Sequence, residues 1–247
     1  MHFIIFDLEF NQDFSSLQHF NQEKSHSLFE IIQVGAVKLD SALNTVATFS
    51  RYVKPTFYTN ISPFITALTG ITSEQLAQEA PFPEIYEAYN EFIGDTDSVF
   101  CIWGMSDIKE LFRNASYHHL NSSLLPKMFI NLQPYVSMHL SLPAKKLLRL
   151  QHAVEALDIP VTYPFHNALY DAYYTAELFK KIYVPAIQPV LYNPLYVSVK
   201  PRPPKKVIDT DKLLQQFEKM YDRKMTSEEQ SMILLAYKMG KTNQFLK

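Results

Sequence analysis

The stretch of sequence that decides the fold is residues 2–10, which read His-Phe-Ile-Ile-Phe-Asp-Leu-Glu-Phe. Apolar, aromatic and β-branched side chains predominate in it, which is typical of a buried β-strand. Alternate side chains of a strand share a face, so Asp7 and Glu9 lie close together on the same side. Two like charges on an apolar strand repel each other and lose hydration, and a divalent cation would relieve both costs. The alternative is an ordinary pair of carboxylates solvated at a strand end.

The composition narrows the class of protein. The chain has 247 residues, of which 47% are hydrophobic, enough for one domain with a sizeable core plus an appendage. Its five glycines form neither GxGxxG nor GxxxxGK[S/T], which excludes nucleotide-binding loops of those types. The single cysteine, Cys101, permits neither an internal disulfide nor a cysteine zinc site and suits a reducing compartment. Because no apolar run approaches the ~18 residues of a membrane span, we expect a cytoplasmic protein without a membrane partner.

The segments after the first strand predict further strands. A polar loop is expected at residues 11–27, followed by strands at 30–40 and 48–53. Three successive strands favour antiparallel pairing. Residues 98–104 predict a strand buried on both faces, and residues 127–136 predict another short strand.

Helical patterns occupy the remaining parts of this region. The predicted helical segments are residues 59–92 with a break at 80–83, a helix directly after Gly104, residues 142–157, and residues 168–183. Strands and helices that alternate along the chain in this way predict an α/β fold.

Two further acidic residues and one histidine complete a chemical pattern. Asp107 falls in the first turn of the helix after the fourth strand, where α/β folds place ligand sites, although the helix dipole alone also favours an Asp there. His166 precedes a helix that Asn167 can cap, and Asp171 lies one turn inside that helix. Residues five apart do not share a face of an ideal helix, so His166 and Asp171 converge only if His166 folds back over the helix start. Taken alone, His166 also fits an ordinary surface residue.

The order and spacing of these segments resemble the DEDDh exonucleases, the DnaQ-like branch of the ribonuclease H-like superfamily. The resemblance covers residues 1 to about 184, and the matching segments are FDLEF (6–10), IIQVGAV (31–37), LTGIT (68–72), CIWGMSDIKEL (101–111) and HNALYDAYYTAEL (166–178). The first and third of these segments, together with RYVKP (51–55), look closest to the Eri-type branch, which includes RNA exonucleases. One departure is Asn11, where many relatives carry Thr or Ser.

The resemblance implies a ribonuclease H-like α/β fold whose mixed sheet has three antiparallel strands followed by parallel strands, flanked by helices. It also implies a 3′→5′ exonuclease acting on single-stranded RNA or DNA, with two Mg²⁺ ions, or Mn²⁺, as cofactors. Asp7 would bridge both ions, Glu9 and Asp171 would complete the site of the attacking water, and Asp107 would serve the second ion. His166 would act as general base, because imidazole titrates close to neutral pH. The implied substrate contacts are Phe10, Asn11, Leu68, Thr69 and Trp103.

The C-terminal part of the chain lies outside the resemblance. We expect an exonuclease domain at residues 1–184, a Pro-rich, semi-rigid linker at 185–208, and a segment of two amphipathic helices at 209–247. Residues 1–199 carry 12 Lys and Arg against 19 Asp and Glu, whereas residues 200–247 carry 11 against 6. A basic segment on an acidic body could bind nucleic-acid phosphates, or the two helices could bind a protein partner.

The same residues argue against two other classes of function. A nucleic-acid-binding or adaptor protein that keeps the fold without activity would lack a carboxylate or the histidine, yet all five are present. A phosphatase that begins with F-D-x-x would need Asp in place of Glu9. The sequence leaves open the oligomeric state and the choice between RNA and DNA, which depends on contacts to the 2′-hydroxyl.

Overall fold

The computed structural model describes six ranges of the chain, residues 1–12, 29–58, 60–94, 97–143, 145–194 and 209–241. Most of the predicted loop at 11–27 and the later part of the predicted linker lie outside the described residues. The chain divides into two compact units, Met1–Tyr196 and Val197–Lys247.

A six-stranded mixed sheet forms the centre of the first unit, counted over the described residues. Its strands are β1 (Phe3–Asn11), β2 (Glu30–Leu39), β3 (Thr45–Tyr52), β4 (Val99–Ile102), β5 (Met128–Asn131) and β6 (Val190–Leu191). The spatial order is β3-β2-β1-β4-β5-β6, with β3, β2 and β1 antiparallel and with β4 and β5 parallel to β1. The predicted mixed sheet is therefore confirmed. The antiparallel edge strand β6 goes beyond the prediction, because two exposed residues in a Pro-rich stretch carry no strand pattern.

Helices cover both faces of this sheet. Their bounds are α1 (Pro63–Thr69), α2 (Ser73–Leu76), α3 (Phe82–Ile93), α4 (Ser106–Tyr117), α5 (Leu132–His139), α6 (Leu150–Ala156) and α7 (Ala168–Ile182). Apolar side chains of α3 and α4 cluster with Ile4, Phe6 and Leu8 on one face of β1. Apolar side chains of α5, α6 and α7 cluster with Phe3 and Ile5 on the other face. β1 is thus buried on both faces, which explains its nearly continuous apolar sequence.

Two of the predicted element boundaries are wrong. A single strand over residues 127–136 does not form, because β5 ends at Asn131, whose side chain caps α5 by accepting a hydrogen bond from the backbone N–H of Gln133 (3.2 Å). A helix over residues 142–157 is also incorrect, since α6 covers only Leu150–Ala156. An apolar pattern alone does not locate a helix start when the capping residue and the loop backbone decide it.

The first part of the predicted linker packs on the first unit. Ile187 is buried in the core beneath α7. The ring of Tyr192, just after β6, contacts the rings of Phe112 (4.9 Å) and Phe129 (5.8 Å). The domain boundaries at residues 184 and 208 stay a prediction, but a truncation that spares the first unit has to retain these side chains.

The second unit contains two helices within the described range 209–241, α8 (Thr210–Tyr221) and α9 (Ser227–Lys241). A capping box begins α9, because the Glu229 carboxylate accepts the Thr226 backbone N–H (2.8 Å) and the Thr226 hydroxyl accepts the backbone N–H of Glu229 (3.3 Å). Met225, between the two helices, is buried. None of the helices in the described ranges has the length and apolar character needed to cross a lipid bilayer.

Candidate active site

The carboxyl-terminal half of β1 carries the first two predicted carboxylates. Asp7 and Glu9 continue the row of alternate residues that begins with the buried Phe3 and Ile5, so they lie on the face that α7 covers. Glu9 is only 9% exposed and Asp7 is half-buried. The predicted spacing of the pair therefore places both carboxylates at one end of the apolar strand.

The other two carboxylates come from helices on opposite faces of the sheet. Asp107, in the first turn of α4, is 6% exposed and accepts a hydrogen bond from the backbone N–H of Leu8. Asp171, in the first turn of α7, is 8% exposed, and its Oδ2 accepts the backbone N–H of His166 (3.2 Å). Both helices therefore bring an aspartate to the end of β1.

A glycine sets how closely α7 approaches the sheet. Gly35 lies in β2 opposite Asp7, and a Cβ added to it would lie 2.1 Å from backbone atoms of Ala168 and Leu169. Gln33 fixes the same junction, because its Oε1 accepts a hydrogen bond from the buried backbone N–H of Ala168 (3.1 Å). Sequence reasoning missed both roles. A Gly inside an apolar strand is a signal of a close backbone approach, but it does not identify the segment that approaches.

We expect Gly35→Ala to lower stability and activity together, because the added methyl group would push α7, with Asp171, away from the sheet. Overpacking of this kind costs about 1–3 kcal/mol, so the Tm should fall by roughly 3–10 °C. Gly94→Ala is the control for a loss of stability alone, because an alanine is strained at its positive φ of 72° although the added Cβ would meet nothing closer than 3.7 Å. Below both Tm values, kcat should fall for Gly35→Ala alone. Equal kcat values for the two variants would contradict the role of Gly35 in letting α7 approach the sheet.

The four carboxyl groups occupy one electrostatic site. Burial, assisted by the charges of its neighbours, raises the pKa of Glu9 to about 8 and that of Asp107 to about 7. Burial also raises the pKa of Asp171 to about 6. The pKa of Asp7 is raised well above its usual value by burial and by the charges of the other three. Buried carboxyl groups that shift one another in this way are typical of metal and catalytic centres.

Three side chains converge closely enough to hold a metal ion. Glu9, His166 and Asp171 each offer a ligand atom, and these atoms lie within 4.8 Å of one another. Oδ1 of Asp171 is buried and has no hydrogen-bond partner among the described residues. Carboxylate oxygens are the ligands that Mg²⁺ prefers, so this donor set fits a divalent cation. Asp7 and Asp107 are not members of this group of three. They interact with it electrostatically, since the charges of Asp107, Glu9 and Asp171 all raise the pKa of Asp7.

The loop before α7 brings His166 to Asp171. Asn167 caps the helix as predicted, its side chain accepting the backbone N–H groups of Leu169 (3.1 Å) and Tyr170 (3.4 Å). His166 has a φ of 66°, in the left-handed region that few non-glycine residues adopt, and its side chain is exposed. This backbone turn produces the convergence that an ideal helix does not allow.

The residues predicted to contact substrate differ in accessibility. Leu68 is 40% exposed on α1, whereas Phe10 and Trp103 are half-buried. The hydroxyl of Thr69 donates to a carbonyl of α1 (2.8 Å) and accepts a backbone N–H two residues further on (3.1 Å). These four contacts stay predictions.

The structure corrects the prediction for Asn11. Its side chain is fully buried, with Nδ2 donating to the carbonyl of Asn60 (3.0 Å) and Oδ1 accepting the backbone N–H of Ser62 (3.1 Å). Asn11 therefore fastens the start of α1 to the end of β1 and is not available to a substrate. Glu30, opposite it in β2, has a similar role, because its carboxylate accepts the backbone N–H groups of residues 56–58.

Comparison with known proteins identifies the family. A family model described as an exonuclease, RNase_T, matches residues 4–179. The chain belongs to this exonuclease family. The predicted membership is thereby confirmed, and the protein is an enzyme of the class that hydrolyses phosphodiester bonds.

Individual relatives agree with this assignment. The exonuclease is 30% identical over 191 residues to DNA polymerase III subunit epsilon of Aquifex aeolicus, across 73% of this chain and 79% of the relative. It is 28% identical over 154 residues to KapD, a probable 3′-5′ exonuclease of Bacillus subtilis, across 62% and 73% of the two chains. The solved nuclease domain of 3′hExo, a DEDDh family member bound to rAMP, matches with a TM-score of 0.61 and 22% identity over 72% of this chain and 88% of that chain. This structural match shows the shared fold.

Proposed function

We propose that this exonuclease removes nucleotides from the 3′ end of single-stranded RNA or DNA and requires divalent cations. The observation that carries the proposal is the convergence of Glu9, His166 and Asp171 at the end of β1, with Asp7 and Asp107 coupled to them. The 3′→5′ polarity is supported by the name of the relative KapD. A cytoplasmic location is part of the proposal, because the single cysteine suits a reducing compartment.

Two Mg²⁺ or Mn²⁺ ions are the proposed cofactors. Asp7, Glu9, Asp107 and Asp171 would hold them, since four carboxylates form a hard oxygen donor set without cysteine. When bound, such ions lower the pKa of water and stabilise negative charge at a scissile phosphate. In the metal-free protein, burial and the repulsion among these carboxylates both disfavour their charged forms, and the raised pKa values express that cost.

His166 is the proposed general base. A nitrogen of its exposed ring lies within 4.8 Å of carboxylate oxygens of Glu9 and Asp171, which is within reach of a water between these groups. The imidazole would take a proton as that water attacks phosphorus. The bond from phosphorus to the 3′ oxygen of the preceding nucleotide then breaks, and a nucleoside 5′-monophosphate leaves.

The proposed substrate contacts are the four predicted residues that keep some exposure, of which Leu68 is the most exposed. Phe10 and Trp103 offer aromatic faces on which an unpaired base can stack, and Leu68 and Thr69 lie on α1, which Asn11 fastens to β1.

A ladder of shortened products from a 5′-labelled oligonucleotide, absent when its 3′ end is blocked, would establish the polarity. Matched RNA and DNA oligonucleotides of one sequence would establish the preferred sugar.

We expect the metal-free protein to lose stability as pH rises. Carboxyl groups with raised pKa values bind more protons in the folded state than in the unfolded state, so stability falls between their unfolded values near 4 and folded values of about 6 to 8. In EDTA the Tm should drop by at least roughly 5 °C from pH 5 to pH 8. Mg²⁺ should restore it mainly at pH 8. A flat Tm in EDTA and no response to Mg²⁺ would contradict the coupled site.

We expect the second unit to raise affinity for long substrates without contributing chemistry. Its excess of Lys and Arg would contact phosphates, and such contacts weaken as salt rises. Truncation after residue 196, which retains Ile187 and Tyr192, should raise KM on long oligonucleotides, flatten the salt dependence and leave kcat nearly unchanged. The 247-residue chain with Lys205 and Lys206 changed to Gln separates the effect of charge from that of helix packing. If the truncated and the 247-residue chains have identical KM values and salt slopes, this unit is a packing or protein-binding element.

A further inference from the structure

The loop that carries His166 is fastened to α7 by the side chain of Tyr174. Tyr174 is completely buried. Its hydroxyl accepts a hydrogen bond from the backbone N–H of Tyr163 and donates one to the carbonyl of the same residue, each at 2.7 Å. One hydroxyl therefore engages both backbone polar groups of a residue at the start of the loop.

Aromatic rings hold the same loop at two further points. The ring of Phe165 lies 4.8 Å from that of Tyr174, inclined by 30°. The ring of Tyr163 stacks on that of Tyr170 in α7, at 4.6 Å and 11°. The loop is thus attached to α7 by residues on either side of position 164.

His166 itself needs this support. Its φ of 66° is unfavourable for a side chain with a Cβ, and such a conformation persists only where surrounding contacts hold it. Its backbone N–H is bound by Asp171, but this bond fixes only the end of the loop. The contacts of Tyr174 fix the residues that lead into it.

We propose that Tyr174 is a positioning residue for His166. Its hydroxyl holds residues 163–166 in the conformation that keeps the imidazole beside Glu9 and Asp171, and it touches no reacting atom. This inference rests on the proposed role of His166 as general base.

The first test is Tyr174→Phe, which keeps the buried ring and its contact with Phe165 but removes both hydrogen bonds to Tyr163. Because small displacements of a catalytic group are costly, kcat should fall roughly 10- to 100-fold. KM and the Mg²⁺ requirement should stay within about threefold, and the Tm should fall by roughly 3–8 °C. Tyr173→Phe, which removes a hydroxyl from the preceding residue of the same helix, is the matched control and should leave all four values unchanged.

The decisive test repeats Tyr174→Phe in a His166→Ala background. If Tyr174 acts through the imidazole, its substitution should cause no further loss of kcat there, because coupled residues are not additive. An equal fold-loss in both backgrounds, or an unchanged kcat in the single variant, would overturn the proposal. If Tyr174→Phe does not fold, Phe165→Leu takes its place, because it removes the ring contact between the loop and Tyr174. Its kcat is then measured with and without His166→Ala.

A readout without substrate separates this inference from the proposed function. In metal-free protein, the ring ¹H–¹³C NMR signal of His166 should shift or broaden in Tyr174→Phe and not in Tyr173→Phe. An unchanged signal would overturn the positioning role. Wild-type protein that degrades no oligonucleotide in Mg²⁺ or Mn²⁺ would instead refute the proposed function, whatever the NMR signal shows.

Discussion

Asp7→Asn is expected to abolish exonuclease activity and, at the same time, to stabilise the metal-free protein. The pKa of Asp7 is raised by burial and by the charges of the other three carboxyl groups, so it lies at the centre of their repulsion. Asn removes the charge with almost no change in volume. Loss of one proposed bridging ligand should lower kcat by at least about 1,000-fold, because metal-assisted stabilisation is worth several kcal/mol.

The stability of the same variant supplies an independent measurement. In EDTA at pH 8 its Tm should exceed that of the wild type, since one of four repelling charges is gone. In Mg²⁺ the order should reverse, and calorimetric titration should show fewer ions bound. Asp158→Asn is the control, because Asp158 is exposed and has a φ of 51° that Asn tolerates. Equal degradation of an oligonucleotide by the wild type in excess EDTA and in Mg²⁺ would show that the reaction needs no metal.

His166→Ala is expected to lower kcat by about 10²- to 10⁴-fold, the usual contribution of a general base. KM and Mg²⁺ affinity should change little, because the side chain is exposed. His166→Gly should behave in the same way. Glycine accepts the φ of 66° without strain, so this pair separates loss of the imidazole from a backbone effect.

The outcome also decides between two chemical roles for this side chain. His166 lies in one group with Glu9 and Asp171, so a histidine that ligates metal would lose Mg²⁺ affinity together with kcat when it is replaced. His152→Ala, which changes an exposed histidine on α6, is the control. Unchanged kcat in both His166 variants would return the residue to an ordinary surface position.

The features that sequence predicted correctly depend on near neighbours in the chain. The alternation of β1 places Asp7 and Glu9 on one face, because side chains alternate in any strand. Asn167 caps α7 through N–H groups two and three residues away. The mixed sheet was implied by motif order rather than by local pattern. Helix α5 was missed, and the strand before it was extended to residue 136, because Asn131 can continue a strand or cap a helix.

By itself, the sequence determined the strand that carries Asp7 and Glu9, the family, and the identity of all five candidate catalytic residues. Only the tertiary structure decided how they meet. Gln33 and Ala168 are 135 positions apart, yet their hydrogen bond and the missing side chain of Gly35 seat Asp171 against β1. Asn11 was predicted to touch substrate and instead braces α1. Local patterns do not reveal such roles, because the partners become neighbours only when the sheet and helices pack.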